Sequence, residues 1–130
     1  KGGTSAYNKG TGGRCITTTG TTTGGTNVNG IYATNDGTSL TINAATTTGG
    51  VIDIDADNHG TGALSITTTG TTTGTNYDGI YATNDGTSLT INAATTTGGE
   101  GSVDRCDRST CTLRSSTSHS TKDATNIDDI

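Results

Sequence analysis

The sequence predicts an all-β chain. Its architecture is a parallel β-helix, or β-solenoid, of about four coils of ~25 residues followed by a polar C-terminal tail. Three observations lead there. Two long stretches are nearly the same sequence. Each divides again into a shorter unit whose apolar and Asn positions recur. Within that unit the apolar residues alternate with polar ones.

Ile16–Gly50 reads ITTTGTTTGGTNVNGIYATNDGTSLTINAATTTGG, and Ile66–Gly99 repeats it with one Gly fewer. A near-exact repeat at this period marks a structure built by stacking one unit on the next. The shorter unit appears when Ile31, Ala33, Asn35, Gly37, Leu40 and Ile42 are laid over Ile54, Ala56, Asn58, Gly60, Leu64 and Ile66. A third copy is Ile80, Ala82, Asn84, Gly86, Leu89 and Ile91. A worn first copy keeps Ala6, Asn8, Gly10, Thr11, Arg14 and Ile16. The closing isoleucines Ile16, Ile42, Ile66 and Ile91 lie 26, 24 and 25 residues apart.

Each unit opens with a period-two run, the mark of a half-buried strand. Its inward set is Ile31, Ala33 and Asn35, and the equivalents in the other copies. A Gly and a small polar pair then turn the chain. The second strand points Leu40 and Ile42 inward, matched by Leu64/Ile66 and Leu89/Ile91. A third strand lies in the Thr run and ends at Gly24, Gly50, Gly74 and Gly99. Stacking converts each position into a column. Ile31/Ile54/Ile80 and Ile16/Ile42/Ile66/Ile91 become apolar seams, and Asn8/Asn35/Asn58/Asn84 an amide ladder. Thr22/Thr48/Thr72/Thr97 falls on the inward parity of the third strand. The repeat domain is residues 1–103. From Glu100 the pattern stops, and 104–130 reads as a polar tail, flexible or capping the last coil.

Composition agrees with a thin stack. Only 26% of the 130 residues are hydrophobic, and Phe, Trp, Met and Pro are absent. A globular core would starve on that content, whereas a solenoid needs few apolar side chains per layer. Thr, β-branched, favours strands, and the 21 Gly favour turns. The net charge of −5 and scattered acids argue against nucleic acid or an anionic membrane as partner. No apolar run is long enough for membrane insertion. No signal-peptide pattern is visible, which fits a mature product, a fragment or a cytosolic chain. The cysteines show no metal spacing. Cys106 and Cys111 suit a small disulfide loop in an oxidising compartment, which leaves Cys15 free.

The blocks Gly-Ile-Tyr-Ala-x-Asn and Leu-x-Ile-Thr, as in GIYATNDGTSLTI and VIDIDADNHGTGALSITTTG, resemble the repeats of bacterial autotransporter passengers and similar large secreted surface adhesins. The resemblance spans about Ile16–Gly99. It implies an adhesin at the bacterial cell surface or outside the cell. Together with the crossover preference of parallel strands, it implies right-handed winding.

Function is expected on the outward residues. After Ile16 these are Thr17, Thr19, Thr21 and Thr23; after Ile66 they are Thr67, Thr69, Thr71 and Thr73. After Ile42 and Ile91 the same count gives Thr47 and Thr96, so Thr21/Thr47/Thr71/Thr96 is the one column that is Thr throughout. Such rows resemble those of β-solenoid ice-binding proteins, while exposed strands carry Thr in any case. The expectation is a structural and adhesive segment with a Thr-rich face, meeting a host surface or a carbohydrate, with ice binding as the alternative. Open coil ends suit end-to-end self-association.

Asp53, Asp55 and Asp57 form D-x-D-x-D, but the following Gly and acid do not fall where a calcium loop needs them. On a strand these side chains point outward about 7 Å apart, too far for one ion. His59 stands in register with Asp36 and Asp85, yet no nucleophile shares the columns, so no enzyme, metal or cofactor is expected. Tyr32 and Tyr81 flank Asp55 and suit stacking on a sugar ring.

Overall fold

The computed structural model describes residues 2–101, 103–104 and 110–115. Five short strands stack into one parallel sheet: β1 (Thr4–Asn8), β4 (Ile31–Asn35), β7 (Ile54–Asn58), β9 (Ile80–Asn84) and β11 (Val103–Asp104). A second parallel sheet stacks β2 (Arg14–Thr18), β5 (Leu40–Ala44), β8 (Leu64–Gly74), β10 (Ser88–Gly98) and β12 (Thr110–Ser115). The short β3 (Thr22–Thr23) and β6 (Thr47–Gly49) continue the far ends of β8 and β10 as a third wall. Each strand pairs with its equivalent one turn away, so the molecule is an all-β solenoid of about four stacked coils.

The registers follow the repeat. Ile31 pairs with Ile54 and Ile54 with Ile80; Ile16, Ile42, Ile66 and Ile91 form one continuous column. Their side chains fill the interior. Ile31, Leu40, Ile42, Ile54, Leu64, Ile66, Ile80, Leu89 and Ile91 are all fully buried. Each contributes roughly 1.5–3 kcal/mol by leaving water. A slender prism is therefore held by one aliphatic seam rather than by a broad core.

The Asn ladder forms beside that seam. The amide of Asn8 donates to Asn35 Oδ1 (2.6 Å), Asn35 to Asn58 (2.7 Å) and Asn58 to Asn84 (2.6 Å). The Asn84 amide in turn donates to the Ser88 carbonyl at 3.0 Å. An amide suits the column because it carries both donors and an acceptor, so each layer satisfies the next. The turn that follows brings backbone against backbone. A Cβ at Gly37 would overlap the Gly12 carbonyl, and one at Gly60 would overlap that of Gly37. The Gly of Asn-Asp-Gly and Asn-His-Gly is thus a packing requirement between coils.

Strand pairing also crosses the boundary expected at residue 103/104. Val103 is buried and stands over Ile80, and β12 pairs with β10, setting Cys111 in register with Leu89 and Leu113 with Ile91. A fifth coil has begun, on a sequence that keeps only the alternation. Residues 105–109 and 116–130 lie outside the described residues, and with them the capping or flexible role expected of the tail and the Cys106–Cys111 loop.

Candidate functional site

A corner separates the second strand from the third, and its length decides which Thr face outward. From Ile16 to the inward Thr22, and from Ile66 to Thr72, is six residues; from Ile42 to Thr47, and from Ile91 to Thr96, is five. The register slips by one between Ala93 and Thr95 as a result. The inward column is therefore Thr22/Thr47/Thr72/Thr96, in place of the expected Thr22/Thr48/Thr72/Thr97.

This corrects two residues of the expected face. Thr47 and Thr96 are fully buried. Thr17, Thr19, Thr21, Thr23, Thr69 and Thr71 are exposed, and Thr67 and Thr73 are half-buried. Thr17 and Thr67 belong to a mixed column with Asn43 and Asn92, and Thr19 and Thr69 sit at the corner.

The shift yields a more regular face than the sequence count gave. Every coil has a Thr triplet with its middle residue inward: Thr21-Thr22-Thr23, Thr46-Thr47-Thr48, Thr71-Thr72-Thr73 and Thr95-Thr96-Thr97. One outer column is Thr23/Thr48/Thr73/Thr97, unbroken through four coils. The other is Thr21/Thr46/Thr71/Thr95. Thr71 pairs with Thr95, and Thr22 N donates to the Thr46 carbonyl at 2.9 Å, which fixes the first two layers. Thr46, Thr48, Thr95 and Thr97 escaped the sequence reading, although aligning the triplets themselves would have found them.

The stretches that carry these columns hold no charged residue. Cys15–Asn35, Gly37–Ile52, Gly60–Tyr77 and Gly86–Gly99 contain no Asp, Glu, Lys, Arg or His. On the outer side of the β1/β4/β7/β9 sheet and its turns gather Asp36 and Asp85, which are exposed, and Asp55 and Asp57, which are half-buried. There Asp55 lies between Tyr32 and Tyr81, and Asp57 accepts from the Thr83 hydroxyl at 2.5 Å. Asn29 donates to Asp55 at 2.9 Å, while burial, reinforced by the charge of Asp57, pushes the Asp55 carboxyl up to about 6. His59 Nδ1 meets Asp85 Oδ2 at 3.1 Å, both exposed. Among the described residues no group of His, Cys, Asp and Glu is arranged to hold a metal ion.

Asp53 departs from the outward D-x-D-x-D that the alternation predicts. It precedes β7 in the column that holds Gly30 and Gly79 in the neighbouring coils, and it is fully buried. Its Oδ2 accepts from the Thr47 hydroxyl at 2.5 Å and from Thr73 N at 2.9 Å. Its Oδ1 occupies the space above Gly30, where a Cβ would collide with it. Burial without a counter-charge pushes the carboxyl up to about 7, against the smaller opposing effect of those two hydrogen bonds. The buried acid ties two coils together directly beneath the Thr triplets.

Among the described residues no nucleophile, base and cleft converge on one point. They form a hydroxyl-bearing wall without charged side chains on one side and an acidic, Tyr-bearing wall on the other. No protein family, curated protein or solved structure matches the chain.

Proposed function

We propose that the chain is a structural and adhesive segment of a secreted or surface-displayed bacterial β-solenoid protein, a stiff rod that presents its Thr wall to a partner. The observation that supports this reading is the pair of unbroken outer Thr columns, carried on stretches that hold no charged residue. A parallel ladder under every Thr holds the wall in one shape, so binding costs little ordering entropy. The sequence resemblance to autotransporter passengers and large surface adhesins points the same way.

End-to-end association belongs to the same reading and would use the edge of β1 and β2, which pairs with no further strand among the described residues. Arg14 stands at that edge in register with Leu40, in a column that continues as Leu64 and Leu89, and works against it.

Adsorption of the labelled chain to a panel of host-cell and glycan-coated surfaces tests the proposal. Thr48→Glu/Thr73→Glu should abolish adsorption, and Asp57→Asn on the opposite wall should leave it intact. Adsorption insensitive to the Thr-wall pair, with circular dichroism unchanged, would overturn the reading.

A further inference from the structure

We propose that the outer side of the β1/β4/β7/β9 sheet is a second binding surface, and that it receives an extended, arginine-bearing segment of a partner protein. This surface shares no residue with the Thr wall.

From Ile16 to Gly99 the chain has six acids (Asp36, Asp53, Asp55, Asp57, Asp78 and Asp85) and no Lys or Arg. Four of them, Asp36, Asp55, Asp57 and Asp85, lie on this one side. Among the described residues they face Lys9 at the first coil and His59, which Asp85 holds at 3.1 Å. Negative charge is left over even with both of these positive. Asp55 and Asp57 also burden each other: the charge of Asp57 adds to burial in pushing up the Asp55 carboxyl. A cation seated between them relieves both.

The neighbours of these acids are aromatic. Asp55 has Tyr32 and Tyr81 one coil away on either side, and Asp57 is joined to Tyr7 through Thr34. Tyr7 and Tyr32 are exposed. The molecule already sets one of its own cations here, with Lys9 Nζ 5.2 Å from the centre of the Tyr7 ring. A Tyr beside a carboxylate suits a guanidinium, whose plane stacks on the ring while its edge forks onto the acid. Thr34 adds an independent sign. It has the same outward parity, between Tyr7 and Asp57, is 5% exposed, and its hydroxyl makes no hydrogen bond among the described residues. Its equivalent Thr83 gives its hydroxyl to Asp57. A guanidinium seated on Asp57 has spare N–H groups for the Thr34 oxygen.

Spacing favours a peptide as the carrier. Asp55 and Asp57 are two residues apart on a strand, about 6.7 Å, and same-side residues of an extended chain keep the same interval. Arginines at alternate positions thus meet both acids. A sugar stacks on Tyr but draws nothing from the carboxylates' charge. A linear polyamine meets the charge but cannot fork onto an acid while stacking on a ring.

Fluorescence anisotropy of labelled Gly-Arg-Gly-Arg-Gly titrated with the whole chain tests the proposal. Binding should weaken as salt is added, and the Lys counterpart should bind less tightly. Asp57→Asn and Tyr32→Leu should each lower affinity about two- to fivefold, with the circular dichroism spectrum unchanged, while Thr48→Gln/Thr73→Gln should leave it as it is. Affinity indifferent to both Asp57→Asn and Tyr32→Leu would overturn the proposal. So would spermidine binding as tightly as the peptide, or a neutral oligosaccharide binding through Tyr32 where the peptide does not. Adsorption through the Thr wall is insensitive to Asp57→Asn, so the two readings fail separately.

Discussion

Asp53 should make the rod more stable in acid than at neutral pH. Its carboxyl titrates at about 7 when folded, against 3.8 ordinarily. In strong acid the group is neutral in both states and favours neither. As pH rises past 3.8 the unfolded chain releases the proton while the folded chain keeps it, so stability falls until about 7 and then levels off. At 1.36 kcal/mol per pH unit the loss is about 4 kcal/mol, a shift in melting temperature on the order of 15 °C for a chain of this size. Asp55, pushed up to about 6, adds to the same trend. Asp53→Asn isolates the effect. The amide oxygen can accept from Thr47 and Thr73 as Oδ2 does, and the NH2 takes the position of Oδ1 above Gly30. The variant side chain therefore imitates the neutral acid at every pH. Thermal melts followed by circular dichroism should give curves that nearly meet at about pH 4 and separate by about 4 kcal/mol near pH 8, the variant being the more stable. Parallel curves across that range would refute the argument, because they would mean that Asp53 is already ionised in the folded rod.

The remaining predictions concern the seam, the ladder and the edge. Asn58→Ala should cost about 2–4 kcal/mol in chemical denaturation, since it removes the acceptor of the Asn35 amide and the donor to Asn84 Oδ1 together; a loss below about 1 kcal/mol would show that the ladder is not cooperative. Ile54→Ala should cost about 2–5 kcal/mol by opening a cavity between Ile31 and Ile80. Gly60→Ala should prevent close stacking against Gly37, and a melting temperature equal to that of the parent chain would contradict the close approach. Arg14→Leu restores the apolar column at the first coil, and light scattering should then report stronger association than the parent chain shows.

The fold was legible because Ile, Ala and Asn recur at one spacing and their chemistry admits one orientation: Ile31, Ile54 and Ile80 have to be inside. Thr gives no such instruction, since it is equally at home facing in or out. Counting outward from Ile16 and Ile42 therefore failed at the corner, where a five-residue and a six-residue path reach the same column. Thr47 and Thr96 went to the wrong side for that reason. Asp53 was misplaced by extending strand alternation one residue before β7 begins. Its occupation of a column otherwise held by Gly30 and Gly79 was the available signal. The fifth coil was hidden because Val103, Cys111 and Leu113 keep the parity of the earlier columns without their residue types.

The near-identity of the two long repeats has a consequence for how such a molecule grows. Because the chain meets itself through the same registers in each pair of coils, a tandem gene duplication inserted between Ile16 and Ile66 arrives with its mating surfaces already matched. Each copied pair of turns lengthens the shaft by about 9.6 Å and widens the hydroxyl grid in proportion. Reach and contact area can therefore be set by copy number alone, with no new interface to be selected.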